Sequence, residues 1–99
     1  MATLHVLSHS PFTDARLRSC LRMLGSSDGL LLCGDAVHAL QPGNEIWPLL
    51  KQVALGRHLY VLDEDLAARA ISVDPQVQQV DYPGFVQLSL DFDKVNTWL

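Results

Sequence analysis

The sequence predicts an α/β domain of three layers, a mainly parallel sheet flanked by helices. Three observations predict it. Short apolar runs occur at residues 4–7, 30–33 and 59–62, each followed by turn-forming residues. Segments with the helical period lie between these runs. No linker, repeat or low-complexity tract interrupts the pattern, and 99 residues is one domain's worth of chain, so residues 1–99 read as a single domain. Runs of this kind suit strands buried on both faces, and their alternation with helices calls for right-handed βαβ units.

Taken in order, Leu4-His5-Val6-Leu7 is the first strand. Ser10 then offers a helix cap and Pro11 a first helical residue. Leu17, Cys20, Leu21 and Leu24 recur at i, i+3, i+4 and i+7, one face of an amphipathic helix that stops at Gly25. Asp28-Gly29 is a turn, and Leu30-Leu31-Leu32-Cys33 the second strand. Gly34-Asp35 opens a short helical segment to Leu40, broken by Gln41-Pro42-Gly43. Asn44 caps a further helix whose inner stripe is Ile46, Leu50, Val53 and Ala54, with Pro48 tolerated in its first turn and Gly56 at its end. Leu59-Tyr60-Val61-Leu62 is the clearest strand. Asp63-Glu64-Asp65 reads as the acidic start of a helix rather than a metal or catalytic cluster, with Asp65 pairing to Arg69 at i,i+4. Residues 77–80 form a weaker strand. Asp81 caps a last helix with Phe85, Leu88 and Phe92, although Leu88, Leu90 and Phe92 also alternate as a strand would.

Composition narrows the function classes. The charged fraction is 18%, below the roughly 25% usual for soluble domains, and mean hydropathy is +0.15. Either the sheet is unusually well buried, or one face is covered by a partner. A net charge of −4 with only seven basic residues speaks against a phosphate-binding face. Arg16, Arg18 and Arg22 share one predicted helix, where Asp14 can pair with Arg18, and read as a solvated face. There is no signal-peptide pattern and no apolar run approaching a membrane span. Cys20 and Cys33 have neither Cys-x-x-Cys nor zinc spacing, which fits a reducing cytosol.

The chemistry is equally restricted. There is no glycine-rich phosphate loop and no nucleophile elbow, so no nucleotide or flavin cofactor is expected. The four histidines, His5, His9, His38 and His58, do not share a helix face and read as ordinary hydrogen-bonding residues rather than metal ligands. Cysteine remains as the residue type that could do covalent work. A sulfur-carrying cysteine must be accessible and partly thiolate. Cys20 lies on its helix's apolar stripe and Cys33 at the end of a buried strand, so both read first as small core residues, with Cys20 the better catalytic candidate.

The order of Leu4-His5-Val6-Leu7, Ser10-Pro11-Phe12, Leu30-Leu31-Leu32, Asp35-Ala36-Val37, Tyr60-Val61-Leu62, Asp65-Leu66-Ala67-Ala68-Arg69, Val80-Asp81-Tyr82, Phe85-Val86 and Trp98-Leu99 resembles the DsrH/TusB family along the whole chain. Ala36 and Ala70 depart from it, standing where the family often has glycine. The resemblance implies a DsrEFH-like fold. It further implies a heterohexamer with two paralogous partners, one TusC/DsrF-like and one TusD/DsrE-like, each chain being present twice. That assembly would relay persulfide sulfur toward 2-thiolation of the tRNA wobble uridine, its principal sulfur-accepting cysteine lying on the TusD-type chain.

The leading expectation is therefore a mainly structural subunit, without cofactor and without direct contact to nucleic acid or membrane. Phe12, Trp47 and Trp98 are its candidate interface anchors. The resemblance leaves a second reading, a Cys20-dependent sulfur carrier of the DsrEFH type in dissimilatory sulfur oxidation. A third is a stand-alone flavodoxin-like binding domain, which the low charge content fits poorly.

Overall fold

In the computed structural model, which describes residues 2–10, 12, 15–41, 43–56 and 58–98, five strands form one wholly parallel sheet in the order β4-β3-β2-β1-β5. The chain runs β1 (Thr3–Leu7), α1 (Arg16–Met23), β2 (Gly29–Leu32), a 3-10 segment (Gly34–Leu40), α2 (Trp47–Leu55) and β3 (Leu59–Leu62). It continues through α3 (Asp63–Ala68), β4 (Gln78–Val80), α4 (Tyr82–Asp91) and β5 (Lys94–Trp98).

From β1 to β4 each strand is laid beside the one before, and α4 then carries the chain back across the sheet to put β5 beside β1. With right-handed crossovers the outward helices share one face and the returning helix takes the other. The packing agrees. Leu17 and Cys20 of α1, Leu50 and Ala54 of α2, Val37 and Leu40 of the 3-10 segment and Leu66 of α3 bury Leu7, Leu30, Leu32, Leu59 and Val61. On the opposite face Phe85, Leu88 and Phe92 lie over Leu4, Val6, Leu31 and Leu62. Successive strand residues point to opposite faces, so one uninterrupted apolar run such as Leu30-Leu31-Leu32 supplies both cores.

Local chemistry explains most boundaries. Asn44 Oδ1 accepts from the backbone amides of Ile46 (2.8 Å) and Trp47 (2.9 Å), closing the start of α2. Asp81 Oδ1 accepts from Gly84 N at 2.7 Å, and Pro83 sits in the first turn of α4. Gly29 has no side chain because a Cβ there would stand 2.5 Å from Phe92 Cζ, so its bareness lets the Phe92 ring settle onto β2.

The sheet is parallel, as expected, and has one strand, β5, beyond those the sequence announces. Two expectations need correction, and one open alternative closes. The alternation of Leu88, Leu90 and Phe92 does not make a strand: the helix capped by Asp81 takes in Leu88, which faces the sheet, and Leu90, which faces outward, and ends with Phe92 as its C-cap. Ser10 does not cap α1, which begins at Arg16 after Ala15; its Oγ instead accepts from Phe12 N at 3.3 Å. Cys33 lies just beyond β2 rather than within it. Pro11, Asp14 and Leu99, and with them the Asp14–Arg18 pairing, lie outside the described residues.

Candidate functional site

The carboxyl ends of β1, β2 and β3, where open parallel sheets usually bind ligands, converge on one group of side chains. Cys33 leaves β2 with its amide donating to Leu7 O at 3.0 Å and its Sγ within 3.5 Å of the same oxygen. Gly34 follows at φ +52°, and a Cβ there would come within 3.1 Å of Ser8 O. Glycine is the residue that takes this conformation and this close approach together. Its amide donates to Asp65 Oδ2 at 2.8 Å. Arg69 closes the group, placing Nη2 2.9 Å and Nε 3.3 Å from Asp35 Oδ1, and Nη1 3.7 Å from Asp65 Oδ1.

These contacts form a clasp. Asp65 anchors the turn after β2 to α3, and Arg69 bridges that turn and helix through two carboxylates. The expected Asp65–Arg69 pair exists, yet Asp35, thirty-four residues away in sequence, is the shorter partner. The acids 63–65 stand in the first turn of α3, as their reading as a helix start requires. Among the described residues no three His, Cys, Asp or Glu side chains converge as a metal site would need.

Neither thiol is poised for attack. Cys20 is fully buried on the inner side of α1, and that burial, with Asp28 nearby, pushes its pKa up to about 12. Burial chiefly, and then the Asp65 carboxylate, pushes the half-buried Cys33 thiol up as well. Thiolate is the nucleophile, and these surroundings oppose its formation at both positions.

A second polar group, at the opposite end of the sheet, was not read from the sequence as a unit. Asp28 Oδ1 accepts from Thr3 N at 3.0 Å, and Oδ2 accepts from Gly25 N at 2.9 Å and faces His5 Nε2 at 3.4 Å. Trp98 Nε1 donates to His5 Nδ1 at 3.1 Å. An indole N–H can only donate, so Nδ1 is the bare nitrogen and Nε2 carries the proton toward Asp28. The Gly25 and Thr3 amides, chiefly, hold the Asp28 carboxyl below its ordinary value. Through these bonds the 25–28 turn, β1 and β5 are tied together. Asp28-Gly29 signalled a turn, but nothing in the local sequence pointed to partners at Thr3 and His5.

Residues 9–95 match the family model described as DsrH like protein, most of the chain's length. The chain belongs to the DsrH family. Curated DsrH relatives agree over nearly the full length of both proteins. The Protein TusB of Erwinia tasmaniensis is 36% identical over 97 residues, covering 96% of this chain and 99% of the relative. That of Escherichia coli O81 is 34% identical over 98 residues, with the same coverage. The crystal structure of the ychN protein from E. coli superposes with a TM-score of 0.81 at 20% identity, covering 99% of this chain and all of that one; it supports the fold alone.

The DsrH candidate anchors are placed differently from one another. Phe12 is 58% exposed just before α1, Trp47 begins α2 half-buried against the larger core, and Trp98 is half-buried at the end of β5. An exposed apolar stripe outside the expectations lies on α4: Tyr82, Val86 and Leu90, four residues apart, are 57%, 53% and 74% exposed. Their spacing would have disclosed them had α4 been assigned as a helix without the competing strand.

Proposed function

We propose that this chain is an architectural subunit of a cytosolic sulfur-relay assembly. Membership of the DsrH family supports the sulfur-relay reading at its coarse level. The finer reading is a complex with two paralogous chains, TusC/DsrF-like and TusD/DsrE-like. It passes persulfide sulfur toward 2-thiolation of the tRNA wobble uridine, with the accepting cysteine on the TusD-like sibling.

One observation carries the architectural role, the withdrawal of both thiols. A persulfide relay needs a thiolate that donor and acceptor can reach, and Cys20 is sealed in the core with its pKa raised. Placing sulfur on it would require opening α1 away from the sheet. The outer stripe of α4 and the exposed Val95 of β5 supply what a subunit needs instead, an apolar surface for sibling chains to cover. In this reading Trp98, which packs against the larger core on the other face of β5, anchors a separate contact, as do Phe12 and Trp47.

Co-expression with the two paralogous chains tests the proposal. The three should co-elute as one species at micromolar concentration, and Leu90→Asp should release this chain from it. A chain that elutes alone beside its paralogues refutes the role.

A further inference from the structure

Charge is segregated in this molecule. α1 and α2 carry Arg16, Arg18, Arg22 and Lys51, four of the chain's seven basic residues, whereas all eleven acidic residues lie outside these two helices. The same layer holds Phe12, Met23, Leu49 and Leu55, half of the large apolar residues left exposed among the described residues.

A groove runs along the seam of the two helices. One hollow is lined by Arg18, Leu21, Arg22 and Leu49. The next, of about 400 Å³, has Leu21, Leu24, Leu49 and Val53 as its apolar lining and Ser26, Gln52, His58 and Asp28 at its polar end, where the Asp28 carboxylate is already held by the Thr3 and Gly25 amides. Leu21 and Leu49 line both, so the hollows are continuous. Arg18 and Arg22, four residues apart, stand together on the α1 rim. Arg18 reaches Glu45 at 3.5 Å, but both side chains are largely exposed and such a pair exchanges at little cost.

We propose that the α1–α2 groove docks an acidic amphipathic helix of a partner protein. An apolar floor with a cationic rim at its Arg18–Arg22 end is complementary to leucine-type side chains at i, i+3, i+4 and i+7 with carboxylates flanking them at that end. At about 1.5 Å per residue, the nine residues of α2 offer a seat roughly 13 Å long, enough for two to three turns of such a helix. Nucleic acid fits less well, because four apolar side chains floor the groove and phosphates gain nothing from them. This inference stands apart from the sulfur reading; it requires only the groove and its charge.

The test uses the full-length protein, nitrogen-15 labelled, and a synthetic helical peptide with leucines at i, i+3, i+4 and i+7 and glutamates between. A matched peptide has lysine for each glutamate. Saturable shifts should map to amides in 16–24 and 47–56 and weaken as salt is raised. The double variant Arg18→Glu/Arg22→Glu should bind about ten-fold more weakly, and Lys94→Glu as wild type. Shifts that are absent or lie elsewhere overturn the proposal. So does equal binding of the lysine peptide or of a single-stranded oligonucleotide, or an effect of the double variant only on self-association. In the producing cell, a photo-crosslinker at position 49 should capture an acidic amphipathic segment. A basic segment, a nucleic acid or no crosslink overturns the proposal.

Discussion

The two faces of the sheet are made from the same strands and finished differently. Over Leu7, Leu30, Leu32, Leu59 and Val61 lie α1, the 3-10 segment, α2 and α3. Over Leu4, Val6, Leu31 and Leu62 lies α4, none of whose own residues is buried. Five strands at about 4.8 Å spacing span roughly 20 Å, and a helix with its side chains is about 10–12 Å across. One helix does not roof that width. Apolar runs in the strands therefore specify two cores, but this chain supplies the full cover for only one. The other face is the natural place for a sibling to add surface, and the proposed assembly rests on that asymmetry.

The comparison is broken most directly by truncating one side chain on each side of it. Leu50→Ala, beneath α2, should cost about 2–5 kcal/mol in urea unfolding of the isolated chain. Leu90→Ala, on the outer stripe of α4, should stay within about 0.5 kcal/mol of wild type. If Leu90→Ala destabilises the lone chain as strongly as Leu50→Ala, the stripe is core and the asymmetry fails.

The next effect belongs to the tie between the 25–28 turn, β1 and β5. Asp28→Ala strands the amides of Thr3 and Gly25 and should cost about 1–3 kcal/mol. The folded carboxyl titrates below its ordinary value of 3.8, so its stabilisation is present above that pH and disappears as pH falls through the folded value. Urea midpoints below about pH 4 should accordingly fall in wild type and change less in Asp28→Ala.

Cys20 acts at the other end of the scale. Below its ordinary value of 9.0 the thiol is protonated whether folded or not. Between 9.0 and the folded value of about 12 the unfolded chain ionises first, so stability declines as pH rises through that window. Cys33 adds in the same direction. Native protein should resist thiol alkylation at Cys20 near neutral pH and react once unfolded, as intact mass would register. Rapid native alkylation would mean that α1 does not seal the core.

The smallest effect concerns Ala70, whose φ of +52° is a left-handed conformation that β-carbon residues resist. Ala70→Gly should stabilise the chain by about 0.5–1 kcal/mol, a small rise in unfolding midpoint. An unchanged or lower midpoint would mean that neighbouring contacts already hold this turn without strain.

How far the sequence reached depended on the range of the interactions involved. β2 and β3 are unbroken apolar runs, β1 is apolar but for Thr3 and His5, and the inner stripe of α2 obeys the helical period, so local pattern disclosed them. β5 reads Lys94-Val95-Asn96-Thr97-Trp98, an exposed edge strand that takes its partner from β1 at the far end of the chain, and carries no apolar run to announce it. The Arg69–Asp35 bridge, the Trp98–His5 bond and the fit of Phe92 over bare Gly29 likewise join residues far apart in sequence. The carboxyl-end clasp was legible in its i,i+4 part and silent in its long-range part. That Cys20 and Cys33 are withdrawn followed from their places on the α1 stripe and at the end of β2.

The most direct test of the central claim is the intact mass of each chain after the assembled complex meets a protein persulfide donor. The added mass of one sulfur atom is expected on the TusD-like sibling and none on this chain, with undiminished transfer when the complex carries Cys20→Ser. A sulfur adduct on this chain that vanishes in Cys20→Ser, together with loss of transfer, would contradict it.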